Sequence, residues 1–199
     1  MPTDLREAPR AGLYPTSGPS LMGSIDAPLP QTLGALTADS DVIALVEPET
    51  QLPDMWDFNG IIVTSRYRAQ VVKVIKGDVA PGDVITLHAN GGTMAATFAA
   101  TSSQRPVPGE PTRILQYVDS PFYHIGVQEL VFLVRVYSTD PAIGTIYWAD
   151  GPGARYNVAD GRLVSIFPPE VKASISEGGA IRNEVEGLTL DELGARVGR

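Results

Sequence analysis

The sequence predicts a mainly β protein: a small closed antiparallel barrel of the OB type, with short helices at its N-terminal edge and its C-terminus. One supporting observation is a single strand pattern, Ile61–Lys76, about twice as long as an ordinary strand. The other is the frequency of turn residues, with 20 Gly and 17 Pro among 199 residues. Such a composition favours strands joined by turns over long helices.

The Ile61–Lys76 segment alternates regularly in its first half. One face is apolar and the other polar, with Tyr67, Ala69 and Val71 against Arg66, Arg68 and Gln70. The alternation then slips, because Val72 and Val74 are apolar where polar residues should continue. A β-bulge near Val71 and Val72 accounts for the slip, since one extra residue exchanges the two faces of a strand and sharpens its bend. A long, bent strand of this kind can serve two sides of a small barrel.

The other elements follow from turn signals and local periodicity. A short helix is expected at Thr32–Ala38, then a strand at Val42–Glu47 that Pro48 should end. After the Pro81–Asp83 turn, a return strand is expected, and Asn90–Gly92 should take the chain sharply away from it. The predicted strands after the long one are Val84–His88, Leu130–Tyr137, Ile143–Ala149, Arg155–Val158 and Arg162–Phe167.

The chain is expected to form one domain with flanking segments. Residues 1–31 are a flexible arm rich in Pro and Gly, and residues 32–168 are the barrel domain. A surface insertion occupies about 93–124, with a short helix at Met94–Ala99. Residues 169–187 are a linker and 188–199 a terminal helix. In that helix Thr189 and Glu192 have capping-box spacing, and Leu190, Leu193 and Val197 share one face.

Charge and composition exclude several classes of function. The net charge of −8 repels phosphate backbones, so nucleic acid is not an expected partner. Without cysteine there is no disulfide and no thiolate nucleophile or metal ligand. No apolar run reaches the ~20 residues of a membrane-spanning helix, so no membrane insertion is expected. Residues 1–30 lack the basic start and apolar stretch of a signal peptide.

Two segments of the chain resemble a known family of OB barrels. Ala38–Val46 and Tyr67–Gly77 are similar to the start of netrin-like modules, which include the tissue inhibitors of metalloproteinases. The likeness is closer still to a broad set of bacterial proteins of unassigned function, which also share a segment like Gly126–Leu133. The resemblance implies an OB barrel and favours a location outside the cytoplasm. The inhibitors chelate metal through a disulfide-held N-terminal cysteine, and this chain has none, so that mechanism does not carry over.

Candidate catalytic and metal-binding residues are few. His88 and His124 are the two side chains whose ordinary pKa lies near neutral. Asp119, Ser120 and His124 are the residue types of a catalytic triad, but triad members seldom lie side by side in sequence, and no Gly-x-Ser-x-Gly turn is present. No metal-ligand spacing occurs, so neither a metal nor another cofactor is expected. A weak calcium contact at Asp150 or Asp160 is left open beside ordinary turn roles.

Candidate binding residues are more numerous. Arg66 and Arg68 lie two apart on one strand face, and guanidinium groups bind carboxylates bidentately. Solvated strand charges are the alternative explanation. Aromatic and imidazole side chains of the predicted loops form a second set, suited either to a contact patch or to burial against the barrel ends: Trp56, Phe58, Phe122, Tyr123 and His124.

These observations favour a non-enzymatic binding or protein-interaction module, with another protein as partner. One alternative is a hydrolase or metal-dependent enzyme that uses His88 and His124 together. Another is a structural component of an envelope or assembly, in which the N-terminal arm and the terminal helix make the contacts.

Overall fold

The structure, a computed structural model, describes residues 30–56, 63–95, 109, 112–116, 120–137, 144–149, 151, 153–167 and 179–198. The predicted arm, apart from its last two residues, and residues 169–178 of the predicted linker lie outside these ranges. Within them the elements are α1 (Leu33–Asp39), β1 (Val42–Trp56), β2 (Val63–Lys76), β3 (Val84–Ala95), β4 (Thr112–Gln116), β5 (Glu129–Tyr137), β6 (Thr145–Ala149), β7 (Arg155–Ala159), β8 (Arg162–Ser165), α2 (Gly179–Val185) and α3 (Leu190–Val197).

Five of the strands close into a barrel in the order β1-β2-β3-β6-β5, and β5 returns to β1. Four of the five pairings are antiparallel, and the fifth, between β3 and β6, is parallel. Strand β4 extends the sheet beside β3, and the β7–β8 hairpin extends it beside β5. The predicted closed OB-type barrel is therefore confirmed.

The predicted bulge in the long strand lies where the phase slips. Leu45 pairs with Lys73 and the next residue, Val46, pairs with Val71, so that Val72 has no partner across the strand pair. As a result Val71 and Val74 both pack with the barrel interior although they differ in parity. The bulge thus bends β2 around the barrel, as one extra residue should.

Strand β1 runs well past the proline that was expected to end it. Pro48 still pairs with Ala69 of β2, but pairing with β5 has ended at Val46. The carbonyl of Pro48 accepts a hydrogen bond from the amide of Gly126, on the side away from β2. The missing N–H of a proline there removes no bond between β1 and β2, so the strand tolerates it.

The prediction that Asn90–Gly92 would end β3 was also wrong. The strand continues to Ala95 and pairs with β4, so Met94 and Ala95 are strand and not helix. Gly92 has a φ of +156°, and a Cβ there would lie 2.8 Å from an oxygen of Asp54. The glycine is therefore needed for close approach of a neighbouring side chain rather than for a turn.

The helices and the β7–β8 hairpin cover the outer face of β1 and β5. Thr32 caps α1, and Thr189 and Glu192 form the predicted capping box of α3. Helix α2 lies within the predicted linker, which corrects that assignment for its described part. Its two buried apolar residues, Ile181 and Val185, are four apart and so face the same way.

Candidate binding surface

The two predicted arginines point away from the barrel interior on β2. Their neighbours Tyr67 and Ala69 are buried in the barrel, so Arg66 and Arg68 lie on the opposite face. Arg68 is exposed. Arg66 is half-buried: its Nε donates to the carbonyl of Pro53 at 3.0 Å, and burial lowers its pKa. Arg68 is thus the arginine that a partner can reach directly.

The predicted loop residues of 120–128 lie in different surroundings. Tyr123 is buried at the barrel end, where its ring packs edge-on against Tyr67 with centroids 5.3 Å apart. Phe122 is half-buried against the same core, whereas His124 is exposed. Tyr67 and Tyr123 therefore pack together inside the end of the barrel. The prediction that Trp56 lies in a loop was wrong: it is the last residue of β1 and pairs with Val63, because β1 continues to pair with β2 beyond Pro53. Phe58 lies outside the described residues.

The same loop exposes two apolar side chains that were not among the binding residues predicted from the sequence. Ile125 is 52% exposed and Val127 40% exposed. Their turn is fixed by the amide of Gly126 on the carbonyl of Pro48 at 2.8 Å. Gln128 Nε2 donates to Glu47 Oε2 at 2.9 Å. Two large apolar side chains are therefore held in solvent by backbone and side-chain bonds to β1.

A buried arginine fixes the position of this loop. Arg155 of β7 is 5% exposed, and its Nη2 and Nε donate to Glu129 Oε2 at 2.8 and 3.0 Å. Its guanidinium carbon lies 3.6 Å over the ring of Tyr123, and its Nη1 donates to the carbonyl of Pro121. A buried charge pair with a cation–π contact sets the position of residues 121–123.

The exposed turn and the arginine face lie next to each other. Glu47, which holds Gln128, pairs with Gln70 of β2, and Thr50 pairs with Arg68. One strand, β1, therefore separates the turn from Arg68, and neighbouring strands are about 5 Å apart. We call the exposed side chains of Arg68, Gln70, His124, Ile125 and Val127 the turn face.

The two histidines occupy unlike environments. His88 is 2% exposed, with its ring 6.4 Å from that of Trp148, and burial lowers its pKa to about 3. Neither of its ring nitrogens has a hydrogen-bond partner among the described residues. His124 is exposed. An enzyme that uses both histidines remains a prediction, and it would need solvent to reach His88.

The other candidate groups have turn or structural roles where they are described. Asp119 and Asp150 lie outside the described residues. Ser120 accepts a hydrogen bond from the amide of Asn90 at 3.1 Å, and Asp160 takes a positive φ of 51° in the β7–β8 turn. Within the described part of the chain, no group of three or more His, Asp or Glu is placed to hold a metal ion.

Comparisons with protein families, curated proteins and solved structures found no match to this chain. The resemblance to netrin-like modules therefore remains a prediction from the sequence. Among the described helices, none has the length and apolar character needed to cross a bilayer.

Proposed function

We propose that this chain is a non-enzymatic protein-interaction module that binds its partner through the turn face. The observation that carries the proposal is the pair Ile125 and Val127, 52% and 40% exposed on a turn that is bonded to β1. Exposed apolar groups rimmed by polar ones are typical of protein–protein contact sites.

The construction of the turn supports a binding role. Ordering a loop on binding costs free energy, and a loop that is already fixed avoids that cost. Arg155 contacts both Pro121 and Tyr123 before the tip, and Gln128 after the tip is bonded to Glu47. The turn is therefore held on both sides of its exposed tip before any partner arrives.

The chemistry of the turn face indicates what the partner offers. Ile125 and Val127 require an apolar recess, and Arg68, exposed one strand away, favours a carboxylate beside that recess. The partner surface we expect is an apolar patch with an acidic side chain at its rim. Arg68 also adds specificity, because a basic rim would be repelled.

The test is affinity capture with the full chain as bait, compared across variants. Ile125→Ser with Val127→Ser should abolish capture of the specific partner, and Arg68→Ser should weaken it about tenfold or more. Val164→Ser is the matched control, since Val164 is 38% exposed on β8, outside the turn face. The recovered partner is then titrated against each variant by calorimetry.

Loss of binding counts only if the variants fold as the native chain does, which near-ultraviolet circular dichroism checks. A partner that is lost with the turn-face variants but kept with Val164→Ser supports the proposal. If every captured protein is retained equally by all variants, the turn face is not the binding site and the proposal is wrong.

A further inference from the structure

One of the five strand pairings that close the barrel, between β3 and β6, involves very few residues. Strands β3 and β6 pair only at Leu87 with Tyr147 and at His88 with Trp148. Just before this point, Val84–Thr86 pairs with β2 on one side. No described strand pairs with its other side. Among the described residues, this edge of β3 is therefore without a strand partner at Val84–Thr86, where Val84 and Thr86 direct backbone groups away from β2.

An open groove of about 420 Å³ lies along this edge. It is bordered by Val84 and Thr86 of β3, Thr145 of β6, Arg135 of β5, and Asp78 and Asp83 of the turn that precedes β3. Its volume is within the range of ligand-binding sites. Backbone groups of an unpaired strand edge can form a ladder with another extended chain.

The groove carries an excess of negative charge. Arg135 is already engaged, because it pairs with Asp78 and lies 5.6 Å over the ring of Tyr147. The side chain of Asp78 is nevertheless 71% exposed. Asp83 uses one carboxylate oxygen to accept from the amide of Ala80 at 2.7 Å. Two carboxylates against one guanidinium favour a cationic ligand and disfavour a polyanion.

We propose that this groove binds an extended peptide segment with a basic side chain. The segment adds as a strand to the open edge at Val84–Thr86, and its cationic group lies beside Asp78 and Asp83. Main-chain bonds to the edge supply affinity, and the carboxylates supply selectivity. The groove lies on the side of β3 away from β2, and it uses no residue of the turn face.

The test is a nuclear magnetic resonance titration of the full, isotope-labelled chain with three blocked heptapeptides. The first alternates threonine and lysine, the second alternates threonine and glutamate, and the third is the lysine peptide with alternate backbone amides methylated. We expect the lysine peptide to shift the amide signals of Val84, Thr86 and Thr145 in a saturable way. The glutamate and methylated peptides should bind at least about tenfold more weakly.

A variant adds a second measure of the charge contribution. Asp83→Asn keeps an oxygen that can accept from Ala80, so the turn should persist while one charge is lost. It should weaken binding of the lysine peptide and leave its contact signals in place. Asp160→Asn, in an exposed turn elsewhere, is the control and should change nothing.

Three results would overturn the proposal. Equal binding of the lysine and glutamate peptides would contradict the charge argument. Saturable shifts at other residues, with none at Val84–Thr86, would show that the edge is not the site. Concentration-dependent shifts at Val84–Thr86 without peptide would show that a second copy of the chain takes the edge instead. Since the turn-face variants are not used, failure here leaves the proposed function untouched.

Discussion

At the scale of single residues, the most consequential side chain is one with no surface role of its own. Arg155 and Glu129 are 5% and 0% exposed, and together they hold Tyr123 and Pro121 in place. Transfer of both charges out of water costs several kcal/mol per ion, which their mutual attraction offsets only when the geometry is good. The pair is better understood as fixing the loop's position than as a large net source of stability.

Removing one partner of this pair should therefore be far more harmful than removing both charges. Arg155→Met leaves Glu129 buried without a counter-charge and should lower the unfolding free energy by about 3–5 kcal/mol. Arg155→Met combined with Glu129→Leu should recover most of that loss, because two apolar side chains then replace both buried charges. Urea denaturation of the single and double variants measures the coupling. A double variant as unstable as Arg155→Met alone would contradict this account.

His88 should make stability depend on pH. Burial lowers its pKa to about 3 in the folded chain, against the usual 6.5 when unfolded. Below about pH 6.5 the unfolded chain binds a proton that the folded chain does not, so stability falls as the pH drops toward 3. Between pH 7.5 and pH 5 the loss from this residue is about 2 kcal/mol.

His88→Gln removes the titrating group, so its unfolding free energy should fall by about 2 kcal/mol less than that of the native chain between pH 7.5 and pH 5. His124→Gln is the matched control, because His124 is exposed. It should keep the native pH dependence. Denaturant titrations at the two pH values supply the comparison. An unchanged dependence in His88→Gln would show that another group is responsible.

At the scale of elements, two glycines should respond oppositely to the same substitution. In β3, a Cβ on Gly92 would lie 2.8 Å from Asp54 Oδ2 and 2.7 Å from Val63 Cγ2, so Gly92→Ala should cost about 1–3 kcal/mol. In α3, a Cβ on Gly194 meets nothing within 4 Å, so Gly194→Ala should stabilise by about 1 kcal/mol. Thermal unfolding of both variants tests this. Shifts of the same sign would be inconsistent with it.

Elements governed by local patterns were predictable, and those governed by neighbours were not. The bulge at Val72 and the capping box at Thr189 depend on residues close in sequence. Strand β1 continues past Pro48 because its pairing with β5 has already ended at Val46. The local sequence does not show where that pairing ends. Helix α2 was missed among polar residues and glycines, although the spacing of Ile181 and Val185 was a usable signal.

The candidate surface was predictable only in part, for a related reason. Arg68 could be placed outside the barrel because strand alternation is local. Ile125 and Val127 could not, since an exposed apolar residue has the same sequence signature as a buried one. Arg155 and Glu129 lie on different strands and are 26 positions apart in the sequence. Their pairing could be predicted only if the pairing of those strands were already known.

At the scale of the whole molecule, two hydrophobic clusters share the same strands. The barrel interior takes alternate residues of β1 and β5, and the outer cluster beneath the helices takes the residues between them. The interior members are Val42, Ala44, Val46, Val131 and Leu133, and the outer ones are Ile43, Leu130 and Phe132. Neither cluster can lose its packing without disturbing a strand that the other one needs.

This sharing predicts a single cooperative unfolding transition for the described fold. Leu87 lies in the barrel interior and Leu193 in the outer cluster, and both are fully buried. Leu87→Ala and Leu193→Ala should each lower the unfolding free energy by about 2–5 kcal/mol. In both variants, tryptophan fluorescence and far-ultraviolet circular dichroism should report the same urea midpoint. An early loss of helical signal in Leu193→Ala, ahead of the fluorescence change, would mean that the helices dock on a barrel that is stable without them.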